Sequence, residues 1–212
     1  MLENLPDLIG HVLRDRRAGL DKTAFHQSGL RAGMGTITVE SLAFADHAPI
    51  PADYTADGAG VSPPLQWHGV PAGAASLVLI VEDADAPTPQ PLVHAIVVDL
   101  APVDGSLAAG AMQSPDHDAT ADVQAGRNSY LQASWLPPDP PPGHGVHRYL
   151  FQLFALGPGG PFPDTPGRTA VMEAVRERGL ASGCLVGTYT RPDGSVKADG
   201  GGQAAVAGAV ID

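Results

Sequence analysis

The hydrophobic residues of the chain follow patterns that predict mainly β-structure. Residues 76–81, 93–100 and 149–156 are long apolar runs, and such runs are typical of strands that are buried on both faces. We therefore expect a central sheet with another layer on each side. Residues 36–44 alternate between apolar and polar positions, and residues 184–189 form a short apolar run, so each predicts one further strand.

Helical periodicity is present in two segments. Residues 4–18 carry apolar side chains at helical spacing between Asn4, which can act as N-cap, and Gly19, which ends the pattern. A second helix is predicted over residues 168–180, and we interpret residues 21–35 as a linker. The first helix is expected to cover a sheet edge or to pack on a second copy of the chain in a homodimer. The predicted organisation is a helical extension and linker at 1–35, a domain at 36–191 and a Gly/Ala-rich extension at 192–212.

The composition indicates a packed globular protein with many turns. Hydrophobic residues make up 43% of the chain and charged residues 17%, while many of the 26 glycines and 21 prolines lie between the apolar runs. The net charge of -11 argues against nucleic acid and against an anionic membrane surface as partners. Cys184 is the only cysteine, so an intramolecular disulfide is excluded.

The same features predict a cytoplasmic protein without membrane insertion. No apolar stretch approaches the roughly 18 residues that a membrane span requires. Residues 1–19 carry charges throughout and lack the apolar core of a secretory signal. We also expect no cofactor.

The first candidate functional residues follow the strand predicted at 76–81. Asp83 and Asp85 are two positions apart, so in a continuing strand both side chains would point to one face. Two carboxylates so close together raise the pKa of one of them, unless a cation or a hydrogen-bond donor lies between them. A solvated turn at the strand exit is the alternative interpretation, because Asp and Pro87 both suit turns.

A second group of candidates consists of histidines and a tyrosine near strand ends. His94 lies at the start of the second apolar run, and His147 and Tyr149 share one face at the start of the third. Each could be a core residue with a satisfied hydrogen bond. Their occurrence beside Gly- and Pro-rich loops, as with the aspartates, favours a common polar site instead.

Four motifs follow one another along the chain. They are Tyr-Thr-Ala-Asp-Gly with Ser-Pro-Pro-Leu-Gln-Trp within 54–67, Asp-Ala-Asp-Ala-Pro at 83–87, Gly-His-Gly-Val-His-Arg-Tyr at 143–149 and Leu-Val-Gly-Thr-Tyr at 185–189. In this order they resemble the motifs of the phosphatidylethanolamine-binding protein family, in particular its bacterial Raf kinase inhibitor-like branch. The resemblance implies a mainly β fold in which a large central sheet packs on a smaller sheet with a few flanking helices. It also implies a shallow pocket that accepts phosphate, carboxylate or similar anions.

The resemblance implies roles for six residues of this chain, and two further residues are candidates for the pocket rim. The implied ligand-binding residues are Asp83, Asp85, Pro87, His94, His147 and Tyr149, and Trp135 and His144 are candidates for the pocket rim.

Three departures from the family pattern affect the expected pocket. Ala84 replaces the usual proline, which frees one φ angle and should loosen the loop. Ala95 stands where the family commonly has tryptophan, so the wall should be thinner or filled from elsewhere. The loop at 130–142 lacks the family's Gly-Tyr-x-Gly-Pro pattern, and its Trp135 could supply the missing aromatic surface.

We expect this pocket to bind a small anionic ligand rather than to catalyse a reaction. An aspartate would accept from one imidazole nitrogen and orient the ring, and the other nitrogen would donate to the anion. Such binding weakens as the pH rises through the histidine pKa. Three alternatives stay open: an acid–base enzyme that uses the same residues, a metal site of two histidines and one carboxylate, and a protein-interaction module such as a kinase regulator.

Overall fold

The computed structural model describes residue 13 and residues 15–30, 35–113 and 123–191. Within these ranges the chain forms nine β-strands, two α-helices and two short 3-10 helices. The strands are β1 Gly35–Thr36, β2 Thr38–Glu40, β3 Leu65–His68, β4 Ser76–Asp83, β5 Leu92–Leu100, β6 Gly105–Leu107, β7 Gln124–Gly126, β8 His147–Leu156 and β9 Gly179–Tyr189. The α-helices are α1 Ala24–Gln27 and α2 Arg168–Arg178, and the 3-10 helices are Leu20–Lys22 and Ala52–Tyr54.

The strands form one large and one small sheet. The six-stranded sheet has the order β1-β9-β8-β4-β5-β7, and the three-stranded sheet has the order β2-β3-β6. Every pair of neighbouring strands is antiparallel except β1 with β9, which is parallel. The two central strands of the large sheet, β8 and β4, consist mainly of aliphatic and aromatic residues, which pack well on a pleated surface.

Two hydrophobic cores lie on opposite faces of the large sheet. One core joins it to the small sheet, with Trp67 of β3 among residues of β4 and β8. The other core joins it to the helices, where Val171, Met172 and Val175 of α2 are buried with Phe154 of β8. The large sheet is therefore the middle layer, which explains why all eight residues of β4 are buried.

The predicted fold class is confirmed: the protein is mainly β, with two packed sheets and flanking helices. The three long apolar runs correspond to β4, β5 and β8. The alternating segment at 36–44 is divided between the two sheets, because β1 joins the large sheet and β2 joins the small one. The last predicted strand is longer than its apolar run, since β9 begins at Gly179.

The N-terminal residues differ from the sequence-based expectation where the structure describes them. Residues 16–19 are not helical, and the remainder of the helix predicted at 4–18 lies largely outside the described residues. Residues 21–30 of the predicted linker pack on the large sheet, and Ala24 and Leu30 are buried in the core beside α2. Their few apolar side chains are too sparse to give a periodic signal, which is why the segment resembled a linker. The extension at 192–212 also lies outside the described residues.

Candidate ligand-binding pocket

Three strands bring the predicted site residues to one edge of the large sheet. β4 ends at Asp83, which pairs with Leu92 at the start of β5 and with Tyr149 near the start of β8. Because both pairings are antiparallel, the C-terminal end of β4 lies beside the N-terminal ends of its two neighbours. Residues from two of the four motifs therefore meet at this edge, beside the start of β5.

His94 reaches the site through a β-bulge in β5. Val81 pairs with Ala95 and Glu82 pairs with Val93, so His94 has no opposite residue in β4. An extra residue of this kind bends the strand and redirects a side chain. The direction of the imidazole therefore follows from a local irregularity rather than from strand alternation.

A cavity of about 720 Å³ lies at this edge of the sheet. Four of the six predicted ligand-binding residues line it: Asp83, Pro87, His94 and His147. Two loops that the sequence analysis did not assign as binding segments, at 129–132 and 136–141, contribute most of the remaining wall. A largely apolar wall with a few polar groups is typical of small-ligand sites.

A chain of buried hydrogen bonds runs from the cavity into the protein. His147 Nδ1 lies 2.7 Å from Asp83 Oδ2, and His147 Nε2 lies 2.6 Å from His144 Nδ1. His144 Nε2 continues the chain to the carbonyl oxygen of Leu13 at 2.8 Å. The other oxygen of Asp83 accepts a hydrogen bond from the backbone N–H of Asp85. An aspartate therefore orients a histidine as expected, but the second nitrogen of His147 is already occupied.

His94 lines the cavity and has one ring nitrogen without a partner among the described residues. Its Nδ1 lies 2.6 Å from the carbonyl oxygen of Leu136, so this nitrogen carries the ring proton and donates it. The buried Nε2 has no hydrogen-bond partner among the described residues. Burial lowers the pKa of His94 and outweighs the opposing effects of the Asp83 charge and the Leu136 carbonyl. The neutral ring therefore offers the cavity an acceptor.

Tyr149 and Trp135 pack against His94 and do not line the cavity. The ring centroid of Tyr149 lies 5.1 Å from that of His94, in an edge-to-face arrangement. Burial raises the pKa of Tyr149 well above its ordinary value, and the negative charge of Asp83 adds to the effect. The ring centroid of Trp135 lies 6.1 Å from that of His94, and Trp135 stacks on Phe151 with 6.3 Å between the two ring centroids. Trp135 is thus a core residue of the described structure rather than an exposed rim residue.

Asp85 does not line the cavity. Its carboxylate accepts hydrogen bonds from Arg148 Nε and Nη2, each at 2.7 Å, and lies 3.0 Å from Arg17 Nη1. Burial alone would raise the pKa of Asp85, but the hydrogen bonds from Arg148 and Arg17 hold it below its ordinary value. A shared face for the two aspartates required the strand to continue, and this condition is not met, because β4 ends at Asp83 and a turn follows as in the alternative interpretation.

Comparison with known proteins identifies the family. The model of the phosphatidylethanolamine-binding protein family matches residues 40–190, which is more than half of the chain. The chain belongs to this family. A Mycobacterium tuberculosis protein that carries the name lipoprotein LppC is 42% identical over 155 residues, which cover 72% of each chain.

Solved structures of family members have the same fold. The homologue CT736 from Chlamydia trachomatis is 34% identical, with a TM-score of 0.66 over 74% of this chain and 99% of its own. YbcL from E. coli is described as a member of the mammalian PEBP family; it is 26% identical, with a TM-score of 0.66 over 73% of this chain and 98% of its own. These similarities confirm the resemblance that the four motifs indicated.

The departures from the family pattern are compensated in the structure. The N–H of Ala84 donates to the carbonyl oxygen of Arg148 at 3.0 Å, a hydrogen bond that the usual proline could not make. The loop therefore gains an attachment to β8 in place of a fixed φ angle. Ala95 and Trp135 belong to one core, so the divergent loop at 130–142 contributes an aromatic side chain to the packing of that core.

Sequence reasoning missed an ion-pair cluster that holds this loop. Arg191 is buried, and its guanidinium lies 2.7 Å from Asp57 Oδ1 and 2.6 Å from Asp139 Oδ1. It also donates to the carbonyl oxygen of Pro140. Asp139 and Pro140 both line the cavity, so Arg191 positions part of its wall. Only the family motif that contains Asp57 offered a signal, because the three charged residues are far apart in sequence.

Two other features of the described residues bear on the alternatives above. No three His, Cys, Asp or Glu side chains in these ranges are grouped so that they could hold a metal ion. None of the helices in the same ranges has the length and apolar character needed to cross a membrane.

Proposed function

We propose that this family member binds a small ligand whose phosphate or carboxylate group lies at His94. The observation that carries the proposal is that His94 lines the cavity while its buried Nε2 has no hydrogen-bond partner among the described residues. Buried polar atoms are normally paired, so an unpaired one at a cavity wall favours a ligand there. The apolar remainder of the wall suits the carbon skeleton of such a ligand.

The carboxylate of Asp83 does not have to repel such a group. One of its oxygens accepts a hydrogen bond from the backbone N–H of Asp85, and the other forms a hydrogen bond with Nδ1 of His147. Hydrogen bonds of this kind stabilise negative charge and spread it over the donors. The polar end of the cavity therefore contains a compensated aspartate beside a histidine that can take up a proton.

Anion binding at His94 requires one additional proton. The neutral ring presents a lone pair, and a lone pair repels a fully ionised oxygen. Either His94 becomes protonated, or the ligand brings a hydroxyl proton, as a phosphate monoester does below its second pKa of about 6. Both routes favour binding at low pH, and the first one operates in a range below the ordinary histidine pKa because burial lowers the pKa of His94.

Calorimetry with sulfate and with a phosphate monoester at pH 6 and pH 8 tests this proposal. Sulfate keeps its charge over this range, so a decrease in its affinity, of up to about tenfold per pH unit, reports proton uptake by the protein. Binding of the monoester without binding of sulfate would indicate that the ligand supplies the proton. His94→Gln should abolish the pH dependence, while His68→Gln, at an exposed position on β3, is the matched control. Absence of binding by both anions at both pH values would contradict the proposal.

Acid–base catalysis is a second candidate, and the same atom favours it. A neutral imidazole with a free Nε2 at a cavity wall is able to abstract a proton from a bound molecule. A turnover screen separates the two functions, with His94→Gln and His147→Ala as variants. Turnover that both variants abolish, while they keep the wild-type unfolding profile, would favour catalysis over binding.

We propose a cytoplasmic location for the protein. A relative that carries the name lipoprotein makes a membrane-attached location the competing expectation. Fractionation of cells that express the full-length chain distinguishes the two, since a lipid-attached form would be recovered with the membranes.

A further inference from the structure

We propose that His144 is a positioning residue that determines the protonation of His147, so that Asp83 and the two histidines together carry no net charge at the cavity wall. His144 does not line the cavity, and the proposed function gives it no part. The inference concerns the protein without ligand. Only its consequence for anion affinity rests on the proposed function.

The first step follows from the partner of His144 Nε2. A backbone carbonyl oxygen can only accept a hydrogen bond, so the nitrogen 2.8 Å from the oxygen of Leu13 carries a proton. A neutral His144 then has an unprotonated Nδ1, which acts as an acceptor. The nitrogen opposite it, His147 Nε2 at 2.6 Å, must be the donor and must carry a proton.

The second step counts protons over the three side chains. One proton lies between His144 and Leu13, one lies between the two rings, and one lies between His147 Nδ1 and Asp83 Oδ2. Two neutral histidines and one ionised aspartate hold only two protons. The third proton adds one positive charge, which balances the carboxylate wherever the proton resides. The hydrogen-bonded group is therefore electrically neutral.

The third step locates the positive charge. Burial lowers the pKa of His144, and the neighbouring His147 and the guanidinium of Arg17 lower it further. His147 faces the carboxylate of Asp83 instead, at hydrogen-bond distance. The extra proton is therefore held by the pair of His147 and Asp83, next to the cavity, while His144 remains the neutral acceptor.

The local backbone and the N-terminal residues hold His144 in this role. Gly143 and Gly145 have φ angles of 77° and 93°, in the left-handed region that favours glycine, and they form the turn that places His144 beside His147. Arg17 donates to the carbonyl oxygens of His144 at 3.1 Å and Val146 at 2.7 Å. Arg17 therefore holds the turn through the carbonyl groups on either side of Gly145, and Leu13 and Arg17 belong to the site.

Ring-nitrogen NMR of the ligand-free protein at pH 7.5 tests the inference. We expect both nitrogens of His147 to be protonated and those of His144 to have the shifts of the Nε2-H tautomer. A nitrogen–nitrogen coupling should also be measurable through the hydrogen bond between His144 Nδ1 and His147 Nε2. A wild-type His147 with one unprotonated nitrogen and a carboxylate signal for Asp83 would overturn the inference.

Two substitutions of His144 provide a matched pair. In His144→Asn the amide oxygen occupies the place of Nδ1 and can accept from His147. In His144→Gln the amide group occupies the place of Nε2 and can donate only to Leu13. We expect a doubly protonated His147 in the Asn variant and a neutral one in the Gln variant. The same protonation of His147 in both variants would contradict the role of His144, and the dispersion of the amide spectrum shows whether each variant is folded.

Sulfate affinity at pH 6 then connects this result to the proposed function. Loss of the balancing charge should weaken sulfate binding by about tenfold or more in His144→Gln, because the ionised Asp83 then opposes the anion. His144→Asn should bind nearly as well as the wild type. If the wild type bound no anion while the NMR result was as expected, the proposed function would fail and the assignment of His144 would stand.

Discussion

His94 shows how one side chain can affect both ligand binding and stability. Its Nδ1 donates a hydrogen bond to the carbonyl oxygen of Leu136. Its ring packs against Tyr149 and Trp135, so little of the imidazole is hydrated. Protonation of the ring without a bound anion would place a charge among aromatic rings. The folded protein therefore resists protonation of His94, whereas the unfolded chain accepts a proton near the ordinary histidine pKa.

This difference predicts a pH-dependent free energy of unfolding. Because the pKa of His94 is lowered by folding, the unfolded state binds more protons between the folded pKa and about 6.5. His94 should therefore contribute a loss of stability of about 1 kcal/mol as the pH is lowered from 7.5 to 5.5. Urea unfolding of the wild type and of His94→Gln at both pH values measures this contribution of His94, which the variant should lose.

His144 must be separated from His94 in that experiment, because burial lowers the pKa of His144 as well. The double variant His94→Gln, His144→Asn should lose the contribution of His144 to the pH dependence as well. If the change in stability between pH 7.5 and pH 5.5 were the same in the wild type and in the double variant, neither ring would resist protonation.

At the scale of elements, Glu82 connects the two helices to the large sheet. Its carboxylate is buried and accepts hydrogen bonds from Arg168 Nε at 2.6 Å, from the N–H of Ala24 at 2.7 Å and from Gln152 Nε2 at 3.0 Å. Arg168 also donates to the carbonyl oxygen of Lys22. One side chain of β4 thus joins α1, α2 and β8 on the face opposite Asp83.

Glu82→Gln should lower the free energy of unfolding by about 2–3 kcal/mol. The amide cannot balance the charge of Arg168, and removal of one partner from a buried ion pair is costly, although the partial exposure of Arg168 reduces that cost. Urea unfolding measures the change. The control is Glu173→Gln on the exposed side of α2, for which we expect a change within about 0.5 kcal/mol. Equal stability of the two variants would contradict the structural role of Glu82.

At the scale of the whole molecule, the layered architecture could be predicted, but the details of the site could not. The apolar runs that became β4, β5 and β8 are long and unambiguous, and their burial on both faces follows from composition alone. The position of His94 depends on a bulge that leaves no trace in hydrophobic alternation. The role of Arg17 depends on a contact more than 120 residues away in sequence, which no local pattern reports.

The junction between the two sheets depends on a glycine in β9. The chain passes from β1 to β2 at Ile37, whose N–H donates to Ser182 and whose carbonyl oxygen lies 2.1 Å from where a Cβ on Gly183 would be. Such a Cβ would also lie 2.9 Å from Val39 Cγ2. The absence of a side chain at Gly183 therefore allows the chain to cross closely over β9 and to carry the small sheet onto the large one.

Gly183→Ala should accordingly destabilise the protein by about 1–3 kcal/mol, because the methyl group meets a backbone oxygen that can move only if the two sheets separate. The matched control is Gly160→Ala, where an added Cβ meets nothing within 4 Å. That change should be neutral or stabilising by up to about 1 kcal/mol, through the reduced entropy of the unfolded chain. Urea unfolding of both variants compares a glycine required by packing between layers with one in open space. If Gly183→Ala were as stable as Gly160→Ala, the two sheets would have to tolerate separation at β9 without a loss of core packing.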